Sequence, residues 1–135
     1  MPEITFHILP IAVAAVFSMI LGSIWYMPKL FGNTWMQLVN IDMERAKKGR
    51  GMAYGLMFVG SLVVSWILSN VVAWAGATTF VNGLIVGFWM WLGFIATVTF
   101  SDMLFAKRPG KLFLITNGYQ LIFMLVAGGI VTVLK

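Results

Sequence analysis

The sequence predicts an all-α integral membrane protein, a bundle of four membrane-spanning helices with a short interfacial helix between the first two spans. Four apolar runs are each long enough, at about 1.5 Å per residue, to cross a hydrocarbon core of about 30 Å. Hydrophobic residues make up 61% of the 135 residues and charged residues only 10%, which leaves little polar surface for water. In lipid the backbone can satisfy its own N–H and C=O groups only as a helix or a closed barrel, and continuous apolar runs favour the helix. We expect a single transmembrane domain over residues 1–135.

The first span is predicted at about residues 4–27, with Pro28 ending it because proline removes a backbone donor and disfavours helix in the residue before it. Ala14, Ser18 and Gly22 recur every four residues. They form a strip of small side chains where another helix can approach closely. This strip is either a seam between copies of the protein or a packing face inside its own bundle.

The interfacial segment is predicted at about residues 29–48. Apolar residues at 31, 35, 38 and 39 share one helical face, which predicts a helix over 29–40 lying flat in the interface. A second short helix is expected over 41–48, with Asn40 as its cap and Gly49 as its stop. The basic run of this segment either recognises anionic lipid headgroups or only fixes the topology. It consists of Arg45, Lys47, Lys48 and Arg50.

The second and third spans are predicted at about residues 52–74 and 80–103, joined by an uncharged connection. In the second span three serines repeat every four residues, so they either line a water path or form a close helix contact. These are Ser61, Ser65 and Ser69. In the third span Gly83 and Gly87 form a GxxxG pair, a packing signal that also arises by chance in apolar helices rich in glycine.

The fourth span is predicted at about residues 111–134. Folding the last two spans into a hairpin about Arg108 places Asn117 level with Thr99. A polar shelf is then expected near that level, as a candidate site for binding or permeation. Its members are Thr97, Ser101, Asp102, Asn117 and Gln120. Asp102 is either functional, as ionisable groups inside a membrane often are, or paired with a cation of the adjacent basic turn.

The basic residues predict the topology. Eight of the nine lie in or beside two connections between spans, as the positive-inside rule describes for cytoplasmic loops. They are Lys29, Arg45, Lys47, Lys48, Arg50, Lys107, Arg108 and Lys111. We therefore expect both connections in the cytoplasm and both termini outside. The net charge of +5 then reflects membrane orientation and the lipid bilayer, with no nucleic acid as a partner.

Composition and motifs argue against catalytic chemistry. The chain has no cysteine, which excludes disulfides, thiol catalysis and thiolate metal sites, and one histidine with four acidic residues offers too few ligands for a metal cluster. No Ser/His/Asp set, paired carboxylate, HExxH or phosphate-binding loop is present. We expect a non-catalytic protein without a cofactor or metal.

Three blocks carry a family resemblance: SIWYMPKLFGNTW, GFWMWLGFIATVTF and RPGKLFLITNGYQL. In these blocks and their order the chain resembles the four-span membrane family catalogued as domain of unknown function 1761. The resemblance implies a compact four-helix bundle, mostly in bacterial membranes, with no assigned activity. The matching positions are Trp25, Tyr26, Pro28, Trp35, Arg108, Lys111, Asn117 and Tyr119. The family supplies no catalytic role to carry over to them.

Two functions remain open from the sequence. The first is a structural or accessory protein of the bacterial inner membrane, assembled as a homo-oligomer or within a larger membrane complex through its small-residue seams. The second is a passive channel or a transporter of small solutes or lipids that uses the polar shelf. Because four helices cannot surround a wide pore, the second function would also require an oligomer.

Overall fold

The computed structural model describes residues 3–134, apart from the side chains of Met43 and Ala46. Every regular element in that range is a helix, which confirms the all-α prediction. The α-helices are α1 (Ile8–Trp25), α2 (Asn33–Leu38), α3 (Met43–Lys47), α4 (Arg50–Trp74), α5 (Phe80–Trp91), α6 (Thr97–Ala106) and α7 (Gly110–Val133). Four spans are long and apolar enough to cross a membrane: α1, α4, the combined stretch Phe80–Ala106, and α7.

Helix α7 is the centre of the bundle. Helices α1 and α4 pack against each other and against α7, while α5 runs along α7 in the most extensive helix contact of the fold. The core joins α1, α4 and α7. Its buried members are Ala14, Leu68, Val72, Phe123, Met124, Ala127 and Val131. The fourth span therefore organises the other three.

The first helix begins later than predicted, at Ile8 instead of residue 4. Residues 3–7 are not helical, and side chains of α4 satisfy part of their backbone. The Asn70 side chain accepts from the Thr5 N–H at 2.7 Å and donates to the Thr5 carbonyl at 3.1 Å. Trp66 donates to the same carbonyl at 2.9 Å. Because these groups replace intrahelical partners, the segment has no need to be helical.

The first part of the interfacial segment is not one helix, as predicted over 29–40, but two pieces. An irregular helical turn at Pro28–Gly32 is kinked at Leu30 (φ −102°, ψ −105°), and α2 follows it. At Gly32 the chain approaches itself so closely that a Cβ would collide with the Tyr26 carbonyl. The rings of Phe31 and Trp25 pack with centroids 4.8 Å apart. This contact holds the turn against the end of α1.

The second part of the segment has a different cap from the one predicted. Asp42, and not Asn40, caps α3, because its carboxylate accepts from the Arg45 N–H at 2.8 Å. Asn40 instead takes a left-handed conformation (φ 57°), which turns the chain before α3. Gly49 also has a positive φ, of 70°, as its predicted role as a stop requires, and α4 begins at the next residue.

The third span is interrupted by a π-helical turn at Leu92–Ala96, between α5 and α6. Such a turn inserts about one extra residue, which rotates the helix after it by about 100° about its axis relative to a continuous α-helix. The span then continues to Ala106, and Lys107 ends it with a φ of 56°. The π turn changes which side chains of α6 face α7.

Candidate functional site

A polar cleft lies at the end of the bundle where α2, α6 and α7 meet. It encloses about 220 Å³. Its lining consists of Trp35, Val39, Thr99, Asp102, Met103, Arg108, Leu112, Phe113, Thr116 and Asn117. The same end carries both basic connections, since Trp35 comes from the first and Arg108 from the last. We call it the basic end.

Asn117 forms the buried floor of this cleft. Its side chain is 3% exposed, and its Oδ1 lies 2.8 Å from the Thr99 hydroxyl while its Nδ2 donates to the Phe113 carbonyl at 3.1 Å. The contact with Thr99 confirms the predicted level of the hairpin. A buried amide in lipid requires such partners, and here they join α6 to α7.

Asp102 and Arg108 lie at the mouth of the cleft. The Arg108 Nε is 3.7 Å from the Asp102 Oδ2, and both side chains are more than half exposed. This ion pair is one of the pairings that the sequence left open for Asp102. At that separation the contact is electrostatic and longer than a hydrogen bond. An exposed pair of this kind contributes at most about 1 kcal/mol of stability.

The structure does not bring Thr97, Ser101 or Gln120 into this cleft. Thr97 and Ser101 are exposed on α6, and the Thr97 hydroxyl donates to the Gly93 carbonyl of its own span at 2.8 Å. Gln120 is half-buried on α7 and does not line the cleft. The π turn accounts for the two α6 residues, because it rotates them away from α7 and brings Thr99 in their place. Of the predicted shelf, Asp102 and Asn117 lie in the cleft.

The predicted seam residues of α1 and α4 lie at helix contacts within the chain. The Ser18 hydroxyl lies 2.7 Å from that of Ser61, and Gly22 faces the Tyr119 ring. Three further residues are completely buried along the same contacts. They are Ala14, Ser65 and Ser69. Within one chain these strips therefore pack helices of the same bundle.

The predicted GxxxG pair lies between α5 and α7. A Cβ on Gly83 would collide with the Gly128 carbonyl, and one on Gly87 with the Met124 carbonyl. The two backbones touch here because neither residue has a side chain. Gly128, which faces Gly83, completes this contact from α7.

The basic residues of the two connections are all exposed at the basic end. Those of the first surround α3, and those of the second flank the turn between α6 and α7. They are Lys29, which precedes α2, and Arg45, Lys47, Lys48, Arg50, Lys107, Arg108 and Lys111. Among residues 3–134 no group of three His, Cys, Asp or Glu side chains is placed to hold a metal ion.

A family model described as "Protein of unknown function (DUF1761)" matches residues 9–132, nearly the whole chain. The chain belongs to this family. The matched range contains every residue that lines the polar cleft. No curated protein and no solved structure matches the chain. The DUF1761 description names no activity, so a functional proposal depends on the geometry.

Sequence reasoning missed two features of the site. Thr99 was recognised as level with Asn117 but not as its partner, because the π turn has no sequence signature that periodicity reveals. The approach of α2 to α7, which brings Trp35 and the adjacent Val39 to the cleft, was also missed. The amphipathic pattern of the segment indicated an interface without indicating which span it touches.

Proposed function

We propose that this DUF1761 protein is a non-catalytic, self-associating membrane protein with a structural or accessory role in the bacterial inner membrane. Its partners are the lipid bilayer and other copies of itself or a larger membrane complex, and not nucleic acid. Both basic connections face the cytoplasm and both termini lie outside, as the distribution of positive charge favours. The first half of α4 supports self-association most directly.

That half of α4 has almost no neighbours in its own chain. Of residues 50–60 all but Phe58 are exposed, and this stretch runs for about 16 Å, about half of the hydrocarbon thickness. A Cβ on Gly51, Gly55 or Gly60 would meet nothing within 4 Å in the described part of the chain. Small residues are enriched where membrane helices touch, and Gly51 and Gly55 are spaced as GxxxG. The surface therefore suits a helix of a second copy.

Disulfide cross-linking in membranes tests this proposal, and the absence of cysteine gives a clean background. Gly55→Cys should form a linked dimer on mild oxidation, since closely crossing helices bring two Cα atoms within the about 7 Å that a disulfide requires. Gly93→Cys is the matched control, because Gly93 is also open in the structure but lies on the third span. Gly55→Leu should lower the oligomeric fraction in native mass spectrometry. Equal linking at both positions, or none at Gly55, would contradict the proposal.

The polar cleft favours a second candidate, passage of a small solute or lipid along the basic end. The cleft reaches only as far as Asn117, and the core of α7 beyond it is apolar: Phe123, Met124 and Ala127 are buried there. Passage would therefore follow a path between copies or along the lipid-facing surface. Flux into liposomes that is lost with Asn117→Leu would support this candidate, and the absence of flux for every tested ion and solute would oppose it.

A further inference from the structure

We propose that the polar cleft is a binding site for the phosphodiester headgroup of an anionic glycerophospholipid, with Arg108 as the phosphate ligand. This inference is independent of the self-association proposed above, because the cleft lies between α2, α6 and α7 and not on α4.

The cleft extends from the headgroup layer to the start of the hydrocarbon. Asn117 lies seven residues after Gly110, the first residue of α7, or about 10 Å along the helix axis. The interfacial layer between water and hydrocarbon is about 5–7 Å thick on each side. With Gly110 at the outer boundary of this layer, Arg108 lies at its polar side, within reach of the phosphates, and Asn117 lies about 3–5 Å past the layer, next to the ester groups and the start of the acyl chains.

The size of the cleft suits a headgroup. Its volume of about 220 Å³ is about seven times the about 30 Å³ that one water occupies in the liquid, and below the about 300–1,000 Å³ of sites for drug-sized ligands. Apolar side chains of Val39, Met103 and Leu112 form part of its walls. Such walls suit the start of an acyl chain better than a fully hydrated ion.

Arg108 supplies an anion-binding group with spare capacity. Its Nε faces Asp102 at 3.7 Å, and the structure gives its two terminal nitrogens no partner among residues 3–134. A guanidinium presents these nitrogens as a fork that matches two phosphate oxygens. The contact with Asp102 involves only Nε, so the two terminal nitrogens stay open to a ligand.

The other end of the cleft offers a hydrogen-bond donor. The Asn117 amide has two N–H groups, and one is used on the Phe113 carbonyl. The second is free to donate to a glycerol or ester oxygen.

The local charge also favours an anion, since Lys107, Arg108 and Lys111 outnumber Asp102 on this turn, and each cation near the surface favours anionic lipid.

Native mass spectrometry with a lipid titration tests the site on the full-length protein in detergent. Phosphatidylglycerol should bind more tightly than phosphatidylcholine. Arg108→Gln should weaken phosphatidylglycerol binding by about tenfold, as expected for loss of a charge-assisted hydrogen-bonded pair. The control is Lys29→Gln, which removes the same charge from an exposed residue that does not line the cleft and should change binding by less than about twofold. Equal losses in both variants would show unspecific attraction and overturn the site.

A second variant separates binding from a structural role for the ion pair. Asp102→Asn removes the carboxylate that competes for Arg108, so phosphatidylglycerol should bind about fivefold more tightly, the effect of about one surface charge. Unchanged or weaker binding would overturn the assignment of Arg108 as the ligand.

Soluble glycerol 3-phosphate distinguishes the two sources of phosphate, a lipid headgroup and a free phosphate ester. If it binds as tightly as phosphatidylglycerol with the same dependence on Arg108, the ligand is a soluble phosphate and the lipid assignment is wrong.

Discussion

Buried polar side chains join the helices of this bundle at single points. The Tyr119 hydroxyl donates to the Ser18 carbonyl at 2.9 Å, and the Trp25 indole donates to the Ile115 carbonyl at the same distance. Each bond links α1 to α7. Such bonds fix the relative orientation of helices whose contacting surfaces are otherwise uniformly apolar.

Removing the Thr99 hydroxyl should destabilise the fold. Thr99→Val keeps the shape but leaves the buried Asn117 Oδ1 without its partner from α6, so we expect a loss of about 1–3 kcal/mol in the free energy of unfolding. Thr97→Val makes the same chemical change at an exposed site and should stay within about 0.5 kcal/mol. Denaturant unfolding in detergent micelles measures both variants. Equal losses would contradict the pairing of Thr99 with Asn117.

Removing the Tyr119 hydroxyl should have a smaller effect. Tyr119→Phe deletes the bond to the Ser18 carbonyl and should lower the free energy of unfolding by about 0.5–1.5 kcal/mol. Ser101→Ala is the control, because it also removes one hydroxyl, from an exposed position on α6. The same unfolding assay compares them, and a Tyr119→Phe variant as stable as the control would argue against this contact between α1 and α7.

At the scale of elements, the contact between α5 and α7 depends on backbone approach. Gly87→Ala should lower the free energy of unfolding by about 1–3 kcal/mol, because its Cβ would meet the Met124 backbone. Gly93→Ala lies in the same span with open space around it and should be neutral or stabilising by up to about 1 kcal/mol. Thermal unfolding followed by circular dichroism separates the two. A harmless Gly87→Ala would show that the helices are further apart than the structure has them.

The number of spans could be predicted from the sequence, whereas their internal geometry could not. Long apolar runs require helices in lipid, so the second and fourth spans begin and end within two residues of the predicted bounds. The π turn at Leu92–Ala96 could not be predicted. An α turn and a π turn both satisfy the backbone hydrogen bonds, and the residues of this stretch are as apolar as their neighbours. The cap at Asp42 was missed because Asn40 is also a suitable capping residue. The left-handed conformation of Asn40 turns the chain before α3, and this turn makes Asp42 the cap.

Across the whole molecule, the spans differ in how much of their surface is buried. In the most apolar stretch of α7 half of the residues are buried, whereas in that of Phe80–Ala106 only 17% are buried. The first, second and fourth spans therefore enclose the core, and the third span packs along α7 from outside. Hydropathy could not predict this arrangement, because lipid and protein interior are equally apolar and a spanning helix shows no contrast between its faces. The placement of the polar cleft could be predicted in part, since Asp102 and Asn117 are polar in apolar surroundings.

The proposed topology has four spans that cross the membrane and both basic connections in the cytoplasm. Labelling single-cysteine variants in intact cells with a membrane-impermeant maleimide tests it directly, since the chain has no other cysteine. Thr78→Cys, in the connection between α4 and α5, should be labelled from outside. Lys47→Cys and Lys107→Cys should react only after the membrane is opened. Labelling of either lysine position in intact cells, or protection of Thr78→Cys, would show that this topology is wrong.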